Sequence, residues 1–249
     1  MSAVRGEHSQ SVSRPLLDGL PSLIVAAHEL KSPLALVRQL SLMLEDGNNI
    51  SQDDQKRMLR QISLTSERAL RLTSDLTRSI NLTDALFELE PINPQQLCKD
   101  IVCELTPLFE AHNRKVKLVS RRSPLLIVAN RDLLRRIILN FSDNALNYAE
   151  DENTNVEIKI KMRNSGKIIR LGVRDYGPAL SNDLLKSLRN RLVNVSPTSI
   201  HARPQSSGLG LYIVNQFADV MNGKIGVIRH RDGATFYVDL QASRQLSLL

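Results

Sequence analysis

Three small groups of residues in this 249-residue chain carry side chains suited to chemistry. The first is His28, with Glu29 beside it, Ser32 one helical turn on and Pro33 just beyond. An imidazole of ordinary pKa, about 6.5, is largely neutral near pH 7 and keeps one nitrogen lone pair free to attack. A neighbouring carboxylate can hold the other ring N–H and so favour that tautomer. Ser32 lies four residues from His28, on the same helix face. Pro33 frees the carbonyl of Glu29 and bends the helix just past the histidine. The second group is Asn140 and Asn144, whose spacing puts both amides on one helix face. An asparagine oxygen is a neutral donor of the kind Mg²⁺ accepts beside waters and phosphates. The third group is glycine-bearing. Gly208, Leu209 and Gly210 open an apolar helix, where free amides and the positive dipole end suit a phosphate. Asp175 and Gly177 follow a strand, and a glycine there lets backbone approach a bound group closely. Each group has a plainer reading when taken alone: a half-buried helix histidine, two solvated amides, a turn aspartate, a helix-opening turn.

The elements around these residues decide between the two kinds of reading. Leu20, Leu23, Ala27, Leu30, Leu34, Val37, Ser41 and Leu44 recur at alternating steps of three and four, the seam of a coiled coil or antiparallel bundle. Gly47, Asn48 and Asn49 break the pattern, and Ser51 opens a second helix as N-cap, with Asp53 and Asp54 in its first turn. That helix carries the seam Met58, Ile62, Thr65, Ala69, Leu72, Leu76, Ser79, Thr83 and Leu86. One hairpin leaves apolar seam uncovered, and a second copy completes a four-helix bundle, so a homodimer is expected. His28 follows the seam residue Ala27 and is placed at the seam's edge, near solvent.

The stretch Pro91–Pro94 reads as a linker, since two prolines in four residues resist helix. Beyond it the spacing predicts helices over 94–111 and 131–148. It predicts strands over 115–119, 125–129, 156–162, 168–173, 224–228 and 235–240. A mixed sheet with helices on one face gives an α+β class. The expected organisation is a disordered tail over 1–17, a helical hairpin over 18–90, an α/β-sandwich domain over 91–243 and a short tail over 244–249.

Composition narrows the classes. Aromatics make up 4% of the chain and Trp is absent, so the core must be aliphatic. Two cysteines, Cys98 and Cys103, cannot make a disulfide framework and read as small buried hydrophobes. No apolar run is longer than Leu23–Ala27, far short of the roughly 20 residues of a membrane span. The opening MSAVRGEHSQSVSRP has no apolar core of a secretory signal. A cytoplasmic protein with no membrane segment is expected. The net charge of +7 divides into −2 over residues 1–90 and +9 over 91–249. The basic surplus suggests an anionic partner for the second half. No recognition helix or RNA-binding pattern supports nucleic acid. His8, His112, His201 and His230 have no metal-ligand spacing.

Four motifs, in one order, carry a family resemblance. His28–Leu34, HELKSPL, resembles the phosphoacceptor box of two-component sensor histidine kinases, with Ser32 where Thr is usual. Asn140, Asn144, Ala145 and Tyr148 resemble the N box of the same kinases and their wider ATPase superfamily, with Asn147 where Lys is common. Asp175 and Gly177 resemble the first glycine box, with Ala179 in place of its second glycine. SSGLGLYIV resembles the last glycine box, with Ser206 where a further glycine is usual, and GATFYVDL resembles the final strand.

The resemblance spans about residues 18–242. It implies ATP and Mg²⁺, with autophosphorylation on His28, Glu29 as its acid/base partner, and transfer to an aspartate of a response-regulator receiver domain. It implies that the Ser32 side chain positions water for dephosphorylating that partner. It implies that Asn144 ligates Mg²⁺, that Asn140 and Tyr148 contact the nucleotide, and that Asp175 accepts from the adenine amino group. Gly177, Gly208, Leu209 and Gly210 complete the nucleotide site. Residues 178–207 would form the lid, which has no glycine, with Leu184, Leu185 and Leu188 in place of its usual Phe-rich box. With only about 17 residues ahead of the hairpin, either input comes from a sensor on another chain or the natural sensor is absent from this one. The alternative reading is a dimeric scaffold that binds a response regulator or nucleotide with little turnover.

Overall fold

The computed structural model describes residues 20–46, 50–80, 87–120, 125–148, 155–183, 185–186, 188 and 209–243. Two long helices come first, α1 (Leu20–Asp46) and α2 (Gln52–Ile80), packed against each other. Ser51 caps α2: the Asp54 N–H donates to Ser51 Oγ at 3.1 Å, and that hydroxyl donates to the Asp54 carboxylate at 2.7 Å. The α2 seam lies where the spacing puts it, with Ala69 buried and Met58, Ile62, Thr65, Leu72 and Leu76 half-buried. The α1 stripe is rotated from the expected seam. Leu40 is buried and the seam residues Leu30, Val37 and Leu44 are half-buried, whereas the seam residues Ala27, Leu34 and Ser41 are exposed. The Ser41 hydroxyl instead donates to the Val37 carbonyl at 2.9 Å. A single hairpin buries one stripe of α1 against α2, and a large leucine off that stripe stays in solvent, Leu34 at 60% exposure. Breaks at 47–49 and the second seam beyond Ile80 up to Leu86 lie outside the described residues.

The linker reading of Pro91–Pro94 is replaced by structure. Glu90–Ile92 forms strand β1, which pairs antiparallel with β3 (Ile127–Ala129). Proline is tolerated there because a two-stranded ribbon needs few of its donors. Asn93 then caps α3 (Pro94–Ala111), its side chain accepting from the N–H groups of Gln95 and Gln96 at 3.0 and 3.1 Å. Pro94 takes the first helical position, where its missing N–H costs nothing.

The remaining elements are β2 (Val116–Ser120), α4 (Arg131–Tyr148), β4 (Val156–Arg163), β5 (Ile168–Arg174), α5 (Leu209–Val220), β6 (Lys224–His230) and β7 (Gly233–Gln241). Five strands form one sheet in the order β2-β4-β5-β7-β6; β2 and β4 run parallel and the other pairs antiparallel. Alternation along each strand sorts the two faces. Val156, Ile158, Ile160, Ile169, Leu171, Val173, Phe236, Val238 and Leu240 are buried in the core beneath the helices. Leu105 and Phe109 of α3, Ile137 and Phe141 of α4, and Val214 and Phe217 of α5 close that core. The opposite face bears Glu157, Lys159, Arg170, Arg174, Tyr237 and Asp239. This two-layer α+β arrangement matches the class read from the strand and helix periods. Cys98 is buried in it, but Cys103 is exposed, five residues on around α3.

Candidate functional site

Helix α4 is set by its first turn. Asn130 accepts from the Leu133 N–H at 3.1 Å and donates its amide to the Glu88 carbonyl at 3.2 Å, tying the cap to the chain entering β1. At the other end Arg114 donates to the Leu146 carbonyl at 2.5 Å, a cation at the negative end of the helix. Between these anchors Asn140 and Asn144 face the same way, and Asn144 Nδ2 donates to Asn140 Oδ1 at 3.2 Å. That bond uses the Asn144 amide nitrogen and leaves its side-chain oxygen, a neutral ligand atom, out of the pair. Tyr148 ends the helix; its side chain lies outside the described residues.

Helix α5 begins at Leu209, and Gly210 sits directly against the Asn140 amide. A Cβ there would stand 2.8 Å from Asn140 Nδ2 and 3.2 Å from Oδ1. The glycine turn and the asparagine pair, read separately along the sequence, therefore share one site. Gly208 and the side chain of Leu209 lie outside the described residues. At the far end of α5, Asn222 stands in the turn that leads to β6. It takes φ 52, and the Gly223 N–H closes the turn on the Ala218 carbonyl at 2.8 Å. Asn is among the few residues that tolerate that left-handed conformation.

Asp175 follows β5 and is buried at 7% exposure. Its N–H donates to the Ala234 carbonyl at 3.0 Å, and Ala234 N–H returns a bond to Asp175 Oδ1 at 2.8 Å. Burial pushes its pKa up; the Ala234 amide, the Arg174 charge and the Gly177 amide oppose that shift. Gly233 presses on this carboxylate from β7. It has φ 118, and a Cβ there would lie 2.6 Å from the Asp175 carbonyl and 2.8 Å from the Gly177 nitrogen. Gly233 and Arg174 were not singled out from sequence. The available signal was that both sit at the ends of strands flanking a candidate aspartate.

Around the first group, α1 runs unbroken through His28, Glu29, Ser32 and Pro33. Ser32 is exposed; the side chains of His28 and Glu29 lie outside the described residues. Helix α5 touches both α1 and α2, so the glycine-led helix rests on the hairpin. Ion pairs join α2 to α4: Arg136 to Asp75, Arg71 to Asp143 at 3.9 Å, and Arg78 to Asp132 at 3.5 Å. Burial raises the pKa of Asp143, next to Asn144, against the lowering pull of Arg71 and Arg68. Of the expected lid, Leu185 is half-buried and Leu188 buried, while Leu184 and residues 189–207 lie outside the described residues.

The donor set fits a magnesium–nucleotide. It offers a neutral amide oxygen at Asn144, a glycine cradle that a Cβ would fill at Gly210, and a buried carboxylate walled by a second glycine. No described helix is long and apolar enough to cross a membrane.

Comparison with known proteins agrees with this geometry. Residues 129–244 match the histidine kinase-, DNA gyrase B- and HSP90-like ATPase family. The histidine protein kinase SaeS of Staphylococcus epidermidis is 28% identical over 217 residues, covering 86% of this chain and 61% of SaeS. The chain thus spans about three-fifths of the length of the curated relatives it matches. Full-length ShkA in complex with AMPPNP aligns with TM-score 0.58 at 17% identity, covering 92% of this chain and 45% of ShkA. Histidine kinase ThkA in complex with the response regulator TrrA aligns with TM-score 0.60 at 14% identity, covering 92% of this chain and 62% of the other. At such identities the two structures speak for the fold. Hairpin, motif order and relatives together make the chain similar to two-component sensor histidine kinases, with its ATPase layer matching the shared ATPase family over residues 129–244.

Proposed function

We propose that the chain binds Mg·ATP between α4 and α5, transfers the γ-phosphoryl group to His28, and passes it to an aspartate of a response-regulator receiver domain. The observation that carries this reading is the contact of Gly210 with the Asn140 amide, which in turn holds Asn144. Phosphates lie at the α5 N-terminus, within reach of its free amides. Asn144 would hold Mg²⁺, which neutralises charge on the transferring phosphoryl group when bound. By the motif resemblance Asn140, Tyr148, Leu209 and Gly208 would contact the nucleotide, and Asp175 with Gly177 would take the adenine end.

In the chemical step a lone pair of the His28 imidazole attacks the γ-phosphorus. The bond from phosphorus to the β,γ-bridging oxygen breaks, and ADP leaves with its electron pair. Glu29 accepts a hydrogen bond from the other ring N–H, which favours the attacking tautomer, and takes that proton as the N–P bond forms. The rate gain comes from positioning and charge stabilisation. Ser32, exposed one turn from His28, is available to orient the water that hydrolyses the receiver's phosphoaspartate.

A homodimer fits the exposed leucines of the hairpin, Leu34, Leu42, Leu59 and Leu70. The complex of ThkA with TrrA supports a receiver partner by analogy. Incubation with Mg²⁺ and γ-labelled ATP tests the reading. Label that is acid-labile and alkali-stable, and absent from His28→Gln and Asn144→Asp, is the expected result; label retained in His28→Gln refutes it.

A further inference from the structure

Asp175 is gripped from behind by a group outside the four motifs. Arg174 precedes it on β5, and strand alternation sends the two side chains to opposite faces. Arg174 is nevertheless buried, at 4% exposure, on the outer face of the sheet. Its guanidinium donates to the backbone carbonyl of Asp175, to that of Ala234 at 3.3 Å and to that of Asp232 at 3.2 Å. It also bonds the Asp232 carboxylate at 2.5 Å. Four acceptors on one planar cation tie the end of β5 to the turn that opens β7. The far side of the guanidinium is covered by Tyr176, whose ring centre lies 4.4 Å from the Arg174 carbon. Tyr176 is itself anchored, its hydroxyl donating to Glu157 at 2.8 Å, while Lys117 and Lys159 hold the same carboxylate at 3.0 and 2.7 Å. Both sequence neighbours of Asp175 are thus fixed to the outer face, which leaves the Asp175 carboxylate to face inward onto the Ala234 N–H.

We propose that Arg174 is a positioning residue. By clamping the carbonyls of Asp175, Ala234 and Asp232 under the Tyr176 ring, it aims the Asp175 carboxylate at the base and so sets the preference for adenine. The inference rests on the reading of Asp175 as the adenine acceptor. It adds that the preference needs the clamp as well as the carboxylate. A carboxylate rewards an amino group and penalises a carbonyl in the same place, so a rigidly aimed Asp175 separates ATP from inosine triphosphate. A carboxylate free to swing does so poorly, because water replaces the missing partner.

Equilibrium binding of ATP and of inosine triphosphate to the full chain tests this. The wild type binds ATP more tightly. Arg174→Met, which keeps the length but none of the donors, lowers the ATP-to-ITP affinity ratio about tenfold, and Arg174→Lys restores part of it. A folded Arg174→Met with the wild-type ratio, or with equal losses for both nucleotides, overturns the proposal. Should Arg174→Met fail to fold, Tyr176→Phe carries the test: it keeps the ring but frees it from Glu157. The ratio then falls about threefold if the clamp acts as described, and an unchanged ratio overturns it. A wild type that does not distinguish the two nucleotides defeats the Asp175 reading and the clamp together. A wild type that does, with variants that do so equally, defeats the clamp alone.

Discussion

Replacing Gly210 by alanine separates the site from the fold. The added methyl carbon would stand 2.8 Å from Asn140 Nδ2, inside van der Waals contact. That atom is the end of a rotatable side chain, so Asn140 can swing away while the backbone stays in place. The swing either leaves a staggered rotamer, costing about 0.5–1.5 kcal/mol, or breaks the bond to Asn144, costing a similar amount. Against this, alanine is favoured over glycine in a helix by at most about 1 kcal/mol, and less in the first turn, where residue 210 lies. The two nearly cancel. The melting temperature of the nucleotide-free protein should therefore shift by no more than about 4 °C. Nucleotide affinity does not share this compensation. Loss of an Asn140 hydrogen bond to a charged ligand costs about 1.5–3 kcal/mol, which raises Kd by about tenfold or more. Thermal denaturation without ligand and titration with a fluorescent ATP analogue in Mg²⁺ provide the two readouts. Unchanged affinity, or a collapse in melting temperature, refutes the reasoning.

Gly233→Ala should act more harshly at the other end of the site. Its Cβ meets backbone of Asp175 and Gly177, and φ 118 strains any L side chain; ATP binding and thermal stability fall together, measured by the same two assays. Glu157 gives a pH signature. Burial opposes its ionisation, but hydrogen bonds from Lys159, Tyr176 and Lys117 outweigh it and bring the pKa from 4.5 down to about 2. A lowered carboxylate pKa adds stability above about pH 4.5 that is lost as pH falls toward 2. Glu157→Gln should flatten that acid limb in denaturation curves recorded across this range. Arg136→Ala removes the partner of half-buried Asp75 and should destabilise the docked arrangement by about 1–3 kcal/mol, read by urea denaturation. Ser32→Ala should slow dephosphorylation of a phosphorylated receiver while leaving autophosphorylation intact, and an unchanged rate argues against its role.

Local signals carried much of the fold. Helix 131–148 and the strand at Val156 stand where period and turn residues put them, because each has one strongly apolar face. Pro91 misled: proline signals a break in helix, but it cannot reveal that Glu90–Ile92 finds a partner strand some 35 residues on. The α1 stripe at Leu40 was missed for a related reason, since which leucines are covered depends on what the helix packs against. In the candidate site, Asn140, Asn144, Asp175 and Gly210 were legible through the resemblance of their motifs, since types and spacing alone left plainer readings open. The motifs could not show that Gly210 abuts Asn140, or that Gly233 walls Asp175, because those contacts join segments far apart in the chain. Arg174 was invisible as anything but one more surface arginine, for its role comes from three carbonyls brought together only by the β5–β7 pairing.

The central claim is a phosphoryl group carried on a histidine. The most direct measurement incubates the protein with Mg·ATP and digests it at neutral to alkaline pH, where phosphohistidine survives. Mass spectrometry then locates the modified residue. One phosphoryl group is expected on His28, lost on brief acid treatment and absent when Asn144 is replaced by Asp. Phosphate found on Ser32 or any other residue, or none at all on a protein that binds ATP, would contradict it.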